Sequence, residues 1–451
     1  MTPLTNFTVI APIVHGKEDE LRTLLLTMNQ APAFADPQNS LVPFGEFDGL
    51  HFARFVILKD ETLGDLEEFY GPEAAFPDAP VYLAFLGDCD GPPDALLADF
   101  ANLAASGLRQ IFSYCEGFDS KCDLLRWMRD HSVRPAAAYV NTIGRTVRQI
   151  REEAELTERL AKSLASLSVS NGLDVPPRQI RDELIRAVRD SGAWPTPVPA
   201  PVAWQLRRLF FLVAAPLVIL LPLLTLGLAA ALFVYGAVLL LLGAVLVAFL
   251  IPLRRHETTD PDVQKPPKPP SEEHLKLLGE RHDFDVTNQY SVMGSFKPGL
   301  FSQRLTTVLW WLINFASPIL YPSGNLARIK TIHCARWVFL DNKRRGFFAS
   351  NYDGSYESYM DDFVNKVSFG LNLAFSQGLN YPQTRFLLWG GAQKEQQFKD
   401  IQRRHTLPTE VWYKAYPGLT LVDIARNTRI RQGLERQMMT DTEIRQWLAE
   451  I

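Results

Sequence analysis

Between Leu209 and Leu253 the chain reads LFFLVAAPLVILLPLLTLGLAAALFVYGAVLLLLGAVLVAFLIPL, 45 residues in which Tyr235 is the sole ionisable side chain. A spanning helix takes about 20 residues to cross roughly 30 Å of hydrocarbon. The run therefore holds two passes and a tight turn, placed near Thr225–Leu228. Arg207-Arg208 and Arg254-Arg255 flank it. Under the positive-inside rule both flanks face the cytoplasm, which makes the run a hairpin. No charge holds the turn in water on the far side, and Pro216 and Pro222 can kink the first pass. A hairpin buried in one leaflet therefore stays open beside a true crossing. The expected location is an inner or plasma membrane, with the lipid bilayer as partner and the soluble parts on its cytoplasmic side.

Outside that run the chain is ordinary globular material. Its 451 residues carry 46 Lys+Arg against 50 Asp+Glu, a net charge of −4, which argues against nucleic-acid binding through bulk charge. With 47% hydrophobic and 21% charged residues, disorder is excluded for most of the length. Cys89, Cys115, Cys122 and Cys334 form no CxxC pair and fit a reducing compartment. The opening MTPLTNFTVIAPIV lacks a basic n-region, so no secretory signal is expected from it.

The two flanking segments match each other in three collinear blocks. Leu50–Leu58 (LHFARFVIL) aligns with Ile332–Leu340 (IHCARWVFL). Asp90-Gly91, Asp94, Asp99-Phe100, Asn102, Gly107-Leu108 and Phe112-Ser113 align with Asp353-Gly354, Glu357, Asp362-Phe363, Asn365, Gly370-Leu371 and Phe375-Ser376, all at a separation of 263. Arg129, His131, Tyr139, Gly144, Thr146 and Ile150 align with Arg403, His405, Tyr413, Gly418, Thr420 and Ile424 at a separation of 274. A duplication split by the hairpin is the expectation.

Element order can then be read twice. Alternating β-branched segments predict strands at 6–13, 50–58, 80–87 and 136–142, then at 289–296, 331–340, 346–351 and 410–416. Helical spacing predicts helices at 17–29, 93–115, 120–130, 301–316, 355–377 and 392–404. Asp90-Gly91-Pro92 supplies the turn and start of the third strand's helix. The expected units are 1–150, a first βαββαβ unit; 151–203, a helical stalk with the Pro-rich WPTPVPAPVA; 204–255, the hairpin; 256–287, a linker with DPDVQKPPKPPS; 288–425, the second unit; and 426–451, a C-terminal helix.

This order resembles the ferredoxin-like unit of the dimeric α+β barrel superfamily, in which two sheets face each other around a pocket. Two units in one chain are similar in plan to dye-decolourising peroxidases and chlorite dismutases. The resemblance covers roughly 6–150 and 288–425. It implies an α+β fold of two ferredoxin-like repeats interrupted by a transmembrane hairpin, and it brings haem into view as a cofactor. No haem-ligand motif of those enzymes is matched residue by residue.

Alternation along the second strand sets His51, Ala53, Phe55 and Ile57 on one face and Phe52, Arg54, Val56 and Leu58 on the other. His and Arg cannot both line a barrel by simple alternation; one of them lies under the helices or at a strand end. His333 is either a metal or haem ligand or general base, or a hydrogen-bonded structural residue. Arg54 and Arg336 either bridge the turn carboxylates Asp90 and Asp353, or capture a lipid phosphate, carboxylate or haem propionate. His131 and His405 end short basic helices and cap them by default. The second half is the expected site, with His333, Arg336, Asp353, Tyr352 and Tyr413 as its residues, and with His333 and Arg336 holding the cofactor. Helix 301–316 (FSQRLTTVLWWLINFA) is apolar enough to be core, to wall a greasy pocket or to rest on the bilayer.

No GxGxxG after a strand, GxxxxGK[ST], HExxH or GxSxG occurs, so nucleotide hydrolysis, zinc proteolysis and α/β-hydrolase chemistry lose support. Polar residues in the hairpin are too few for a transport path. The expectation is a membrane-anchored protein that binds or oxidatively transforms an apolar, lipid-like small molecule. A non-catalytic, membrane-tethered assembly module is the competing class, and a homo-oligomer stays open.

Overall fold

The computed structural model describes residues 4–171, 175–192, 194–198, 202–264, 268–321, 324, 326 and 328–451. Parts of both expected Pro-rich linkers, 199–201 and 265–267, lie outside the described residues. Eight strands of four residues or more build two sheets. They are β1 (Leu4–Pro12), β2 (Leu50–Leu58), β3 (Tyr82–Asp90), β4 (Ala137–Val140), β5 (Thr287–Ser295), β6 (Ile332–Leu340), β7 (Arg345–Asp353) and β8 (Thr409–Lys414). The first sheet runs β1-β3-β2-β8 and the second β5-β7-β6-β4, with every neighbour antiparallel.

The order contains an exchange. β4 precedes the hairpin in the chain yet pairs with β6, placing Ala138 opposite Arg336. β8 comes last yet pairs with β2, placing Trp412 opposite Arg54. The segments 1–150 and 288–425 are therefore not self-contained sheets, as the sequence suggested; each gives its last strand to the other. Alternation specifies that a segment is a strand and which face it buries, but it does not name the partner edge.

The two sheets share a core of Val56, Leu58, Ala84, Leu86, Val338, Leu340, Phe347 and Ala349. Helices cover the outer faces. On the first sheet these are α1 (Glu18–Leu26), α3 (Pro93–Leu103), α4 (Ala105–Phe112) and α5 (Leu124–Asp130); α2 (Leu63–Tyr70) lies apart from them. The expected continuous helix 93–115 breaks at Ala104, between α3 and α4. Over this face Phe7, Phe85 and Phe100 meet edge to face. α6 (Val147–Asn171), α7 (Pro177–Asp190), α13 (Leu421–Glu435) and α14 (Asp441–Leu448) form a satellite bundle around Leu160, Leu184, Ile430 and Trp447. The second sheet is covered by α10 (Leu300–Leu320), α11 (Tyr356–Phe375) and α12 (Glu395–His405), with α9 (Glu272–Gly279) nearby.

The apolar run forms α8 (Val202–Thr259), interrupted at Gly227, whose φ of 73° and ψ of 169° leave the helical region. Glycine reaches that backbone without a Cβ clash, and it falls inside the expected turn. The two arms, Gln205–Leu223 and Ala230–Thr259, are long and apolar enough to cross a membrane, and neither is buried within the protein. The Tyr235 hydroxyl donates to the Ile219 carbonyl across the break, so the arms lie side by side. At the base, Leu250 and Leu253 pack on Phe301, Leu305 and Leu309 of α10. Glu257 accepts from Thr384 Oγ1 (2.8 Å), Leu387 N (2.9 Å) and Phe386 N (2.8 Å), joining the helix end to the second sheet's periphery.

Candidate functional site

His51 and His333 occupy the same structural position. Each is the extra residue of a β-bulge at a strand start: Leu50 faces Cys89 and Phe52 faces Asp88, while Ile332 faces Tyr352 and Cys334 faces Asn351. A bulge re-aims the side chain at that point. Both imidazoles then meet a turn carboxylate. His51 Nε2–H donates to Asp90 Oδ1 (3.1 Å), and its Nδ1 bonds the Tyr416 hydroxyl (3.0 Å). His333 Nε2–H donates to Asp353 Oδ1 (2.7 Å).

The carboxylates are themselves structural. Asp90 Oδ2 accepts from Val147 N at the start of α6 (3.0 Å), and Asp353 Oδ2 accepts from Leu421 N at the start of α13 (2.7 Å). Thr287 Oγ1 also donates to Asp353 (2.8 Å). A carboxylate at a helix N-terminus is stabilised by the exposed N–H groups and the helix dipole. Each His–Asp pair thus binds a strand bulge to the helix that follows the exchanged strand. The bridges expected from Arg54 to Asp90 and from Arg336 to Asp353 do not form, because the bulges bring the histidines to those carboxylates instead.

Both arginines turn into the space between the sheets and are held there. Arg54 donates to the Tyr290 carbonyl and Ser291 Oγ (both 3.0 Å), to the Ser350 carbonyl (2.9 Å) and to Asn351. Arg336 donates to the Phe7 carbonyl (2.9 Å), the Gly87 carbonyl (3.0 Å), Thr8 Oγ1 (3.3 Å) and Asp88. Asn351 Nδ2 closes the network on Asp88 Oδ2 (2.9 Å). Arg336 pairs directly with Asp88, and Arg54 reaches that carboxylate only through Asn351. Burial first, and Arg336 second, lower the Arg54 pKa to about 9, so it remains a cation at neutral pH. Asp88 and Asn351 were not singled out in the sequence, although they stand at the same 263-residue separation as the aligned turns.

The expected second-half site does not assemble. His333 and Asp353 meet, but Arg336 points into the intersheet core. Tyr352 stacks on Tyr359 (4.0 Å) and reaches Asp283 (3.3 Å), and burial holds its hydroxyl pKa well above the usual value. Tyr413 belongs to β8 and so to the first sheet, stacked on Phe44 (5.0 Å).

Haem at His333 is excluded by space. The cavity between His51 and His333, walled by Phe52, Cys334 and Tyr416, measures about 30 Å³, whereas pockets for drug-sized ligands measure roughly 300–1,000 Å³. His333 gives Nε2 to Asp353, and Arg336 is committed to carbonyls and Asp88, so neither is arranged around a cofactor-sized space.

A larger void lies elsewhere, between the second sheet and its covering helices. About 350 Å³ is enclosed by α10, α11 and the outer face of β6 and β7, with Leu309, Ile313, Trp337, Phe348, Val367 and Ala374 in its wall. Among the described residues no acidic, basic, histidine or cysteine side chain lines it, and the hydroxyls there are those of Ser317 and Tyr321. The sequence left helix 301–316 open as core, pocket wall or bilayer contact; in the structure α10 walls this void, and the α11 residues Phe369, Gly370 and Leu371 line it too.

The chain matches no known protein family, curated protein or solved structure. Its function is therefore read from its own geometry.

Proposed function

We propose that this protein is a membrane-anchored binder of a neutral, apolar, lipid-like molecule, held in the cavity between α10 and α11. In this reading the α8 hairpin crosses the bilayer with both soluble segments on the cytoplasmic side, and the two sheets follow the tandem ferredoxin-like plan of α+β barrels. Identical strand order, matching bulges and reciprocal strand exchange support that plan.

The observation that carries the function is the cavity itself. Apolar voids of this size are rare in close-packed interiors, and an apolar site with few polar groups suits a hydrophobic ligand. Binding rather than chemistry is the reading, because among the described residues the wall holds no general base to activate its two hydroxyls and the titratable residues nearby serve the fold. The cavity also abuts the membrane segment: Leu309 and Leu373 line it and belong to the cluster that seats Leu253 of α8.

The test is purification of the full chain in mild detergent, followed by organic extraction and mass spectrometry. A neutral lipid should co-purify in near-stoichiometric amount and be lost from Gly370→Leu, which adds a side chain to the cavity wall where a Cβ would meet Val367 Cβ at 3.9 Å, an ordinary van der Waals contact. Equal lipid in both proteins, or none in either, would refute the proposal.

A further inference from the structure

α10 has two apolar faces, and only one belongs to the core. Ser302, Leu305, Thr306, Leu309 and Trp310 are buried against the sheet side. On the opposite side Val308, Trp311, Leu312 and Phe315 recur at helical spacing and are exposed, Val308 at 53% and Trp311 at 59%. A contiguous apolar surface of this kind marks a partner or a membrane rather than free solvent.

The surroundings decide which. Phe315 meets Phe211 of the first hairpin arm edge to face at 5.2 Å. At the other end of α10, Phe301 contacts His256 at 5.1 Å and packs with Leu250 and Leu253 of the second arm. The helix therefore lies against both arms near their bases, and the exposed stripe continues the exposed apolar surface of the hairpin. Trp311 stacks on Phe315 (5.8 Å); tryptophan is enriched where bilayer meets water. Arg207 lies over the Phe211 ring (6.0 Å) with its charge free to reach the headgroups.

The cavity opens on this same surface. Leu312 and Leu320 of α10 and Phe369 of α11 line the void and are also exposed, at 45%, 63% and 47%. We infer that α10 lies in the headgroup–acyl boundary beside the hairpin, so that the mouth between Leu312, Leu320 and Phe369 opens into lipid and the ligand enters laterally from the bilayer. This rests on the proposed ligand-binding role and adds the ligand's source and route. It also specifies its charge class: an uncharged lipid can slide from acyl chains into a wall without ionic groups, whereas a charged headgroup would have to be desolvated there.

The test uses the full chain in vesicles of phosphatidylcholine and phosphatidylglycerol. Val308→Cys and Leu312→Cys, in a Cys122→Ser background, are each labelled with bimane, since the other three cysteines are buried. Leu103→Cys on α3, exposed at 61% on the far sheet's helices, is the control. Brominated acyl chains should quench the α10 labels several-fold more than the control label. Equal, solvent-like behaviour at all three positions would overturn the inference, as would protection of the stripe by a second copy of the chain without bromine quenching. If the labelled variants do not fold, Trp311→Phe in the native chain gives a second readout: bromine quenching of total tryptophan emission should fall, and unchanged quenching overturns the inference. Lipid co-purification without quenching of the stripe would overturn this route while leaving the binding role standing. Quenching with an empty cavity would refute the binding role, and with it the lateral loading built on it.

Discussion

Arg336→Met should be far more damaging than Arg54→Met, although the two arginines occupy equivalent strand positions. The difference lies in what each leaves behind. Arg336 neutralises Asp88, which is 2% exposed; without it the carboxylate keeps only Asn351 Nδ2 at 2.9 Å as a good donor. An uncompensated buried charge of this kind costs about 3–5 kcal/mol. Arg54 has no carboxylate of its own, and its removal orphans carbonyl and amide acceptors at a cost of about 1–3 kcal/mol. Either substitution relieves the mutual repulsion of the two guanidinium groups, so that contribution cancels in the comparison. At about 2 °C per kcal/mol for a chain of this size, Arg336→Met should lower the midpoint by roughly 6–10 °C and Arg54→Met by roughly 2–6 °C. The assay is thermal unfolding of the full chain in detergent at pH 7, followed by tryptophan emission. Adding Asp88→Asn to Arg336→Met should recover part of the loss, because the orphaned charge is removed. Equal shifts for the two single variants, or a melt of Arg336→Met within 2 °C of wild type, would show that the Arg336–Asp88 pair does not govern this core.

Other consequences can be checked separately. His282 is buried with its pKa lowered to about 4, first by desolvation and then by Arg54. The unfolded chain takes up that proton near pH 6.5 and the folded one does not, so stability should fall as pH drops from about 6.5 to 4, by at most about 3 kcal/mol. His282→Gln should flatten this slope in urea titrations at stepped pH. Glu257→Ala removes the acceptor of three donors around Thr384–Leu387; limited proteolysis should then cut near 384–390, where the native chain resists. Haem added to the purified protein should give no Soret band that depends on His333, and a band lost in His333→Ala would contradict the space argument. Compared with lipid-stripped wild type, Gly370→Leu should be more stable by about 0.5–1 kcal/mol, the helical preference of leucine over glycine, in urea unfolding of the two proteins.

Much of the fold was legible because periodicity reports burial. All eight strands fall on predicted segments, and the hairpin turn falls on Gly227 within the predicted four residues. What stayed hidden has one physical cause: local pattern carries no information on partners. Nothing in AAYV of β4 distinguishes an edge of its own sheet from an edge formed by residues 332–340. The bulges were equally silent, since one extra residue leaves LHFARFVIL looking like regular alternation, and yet it moves His51 to Asp90 and frees Arg54 for the interior. Site reading failed for the same reason. Tyr413 was grouped with His333 by chain proximity, while pairing puts it opposite Ala53. The cavity was half visible, as the apolar α10, because a void depends on how two helices are spaced and no single segment encodes that spacing.

The exchange also explains how so large an insertion is tolerated. Residues 141–286 separate β4 from β5, yet both belong to one sheet, and Val140 pairs with Cys334 across the insertion. Closing such a loop is inexpensive, since each doubling of its length costs only about 0.6 kcal/mol. What the exchange imposes is dependence. Without β8, β2 would present LHFARFVIL as an unpaired edge, a fully buried strand in the complete chain and an aggregation surface if left open. Without β4, β6 would do the same. The hairpin sits between the two donors, and its base is fixed to α10 and to residues 384–387 at the second sheet's periphery. The cavity beside that base is bounded by elements from after the hairpin, but the sheet beneath it is closed by a strand from before it. The proposed ligand binding at α10 and α11 would therefore depend on the integrity of the whole chain, and neither half expressed alone would supply the cavity.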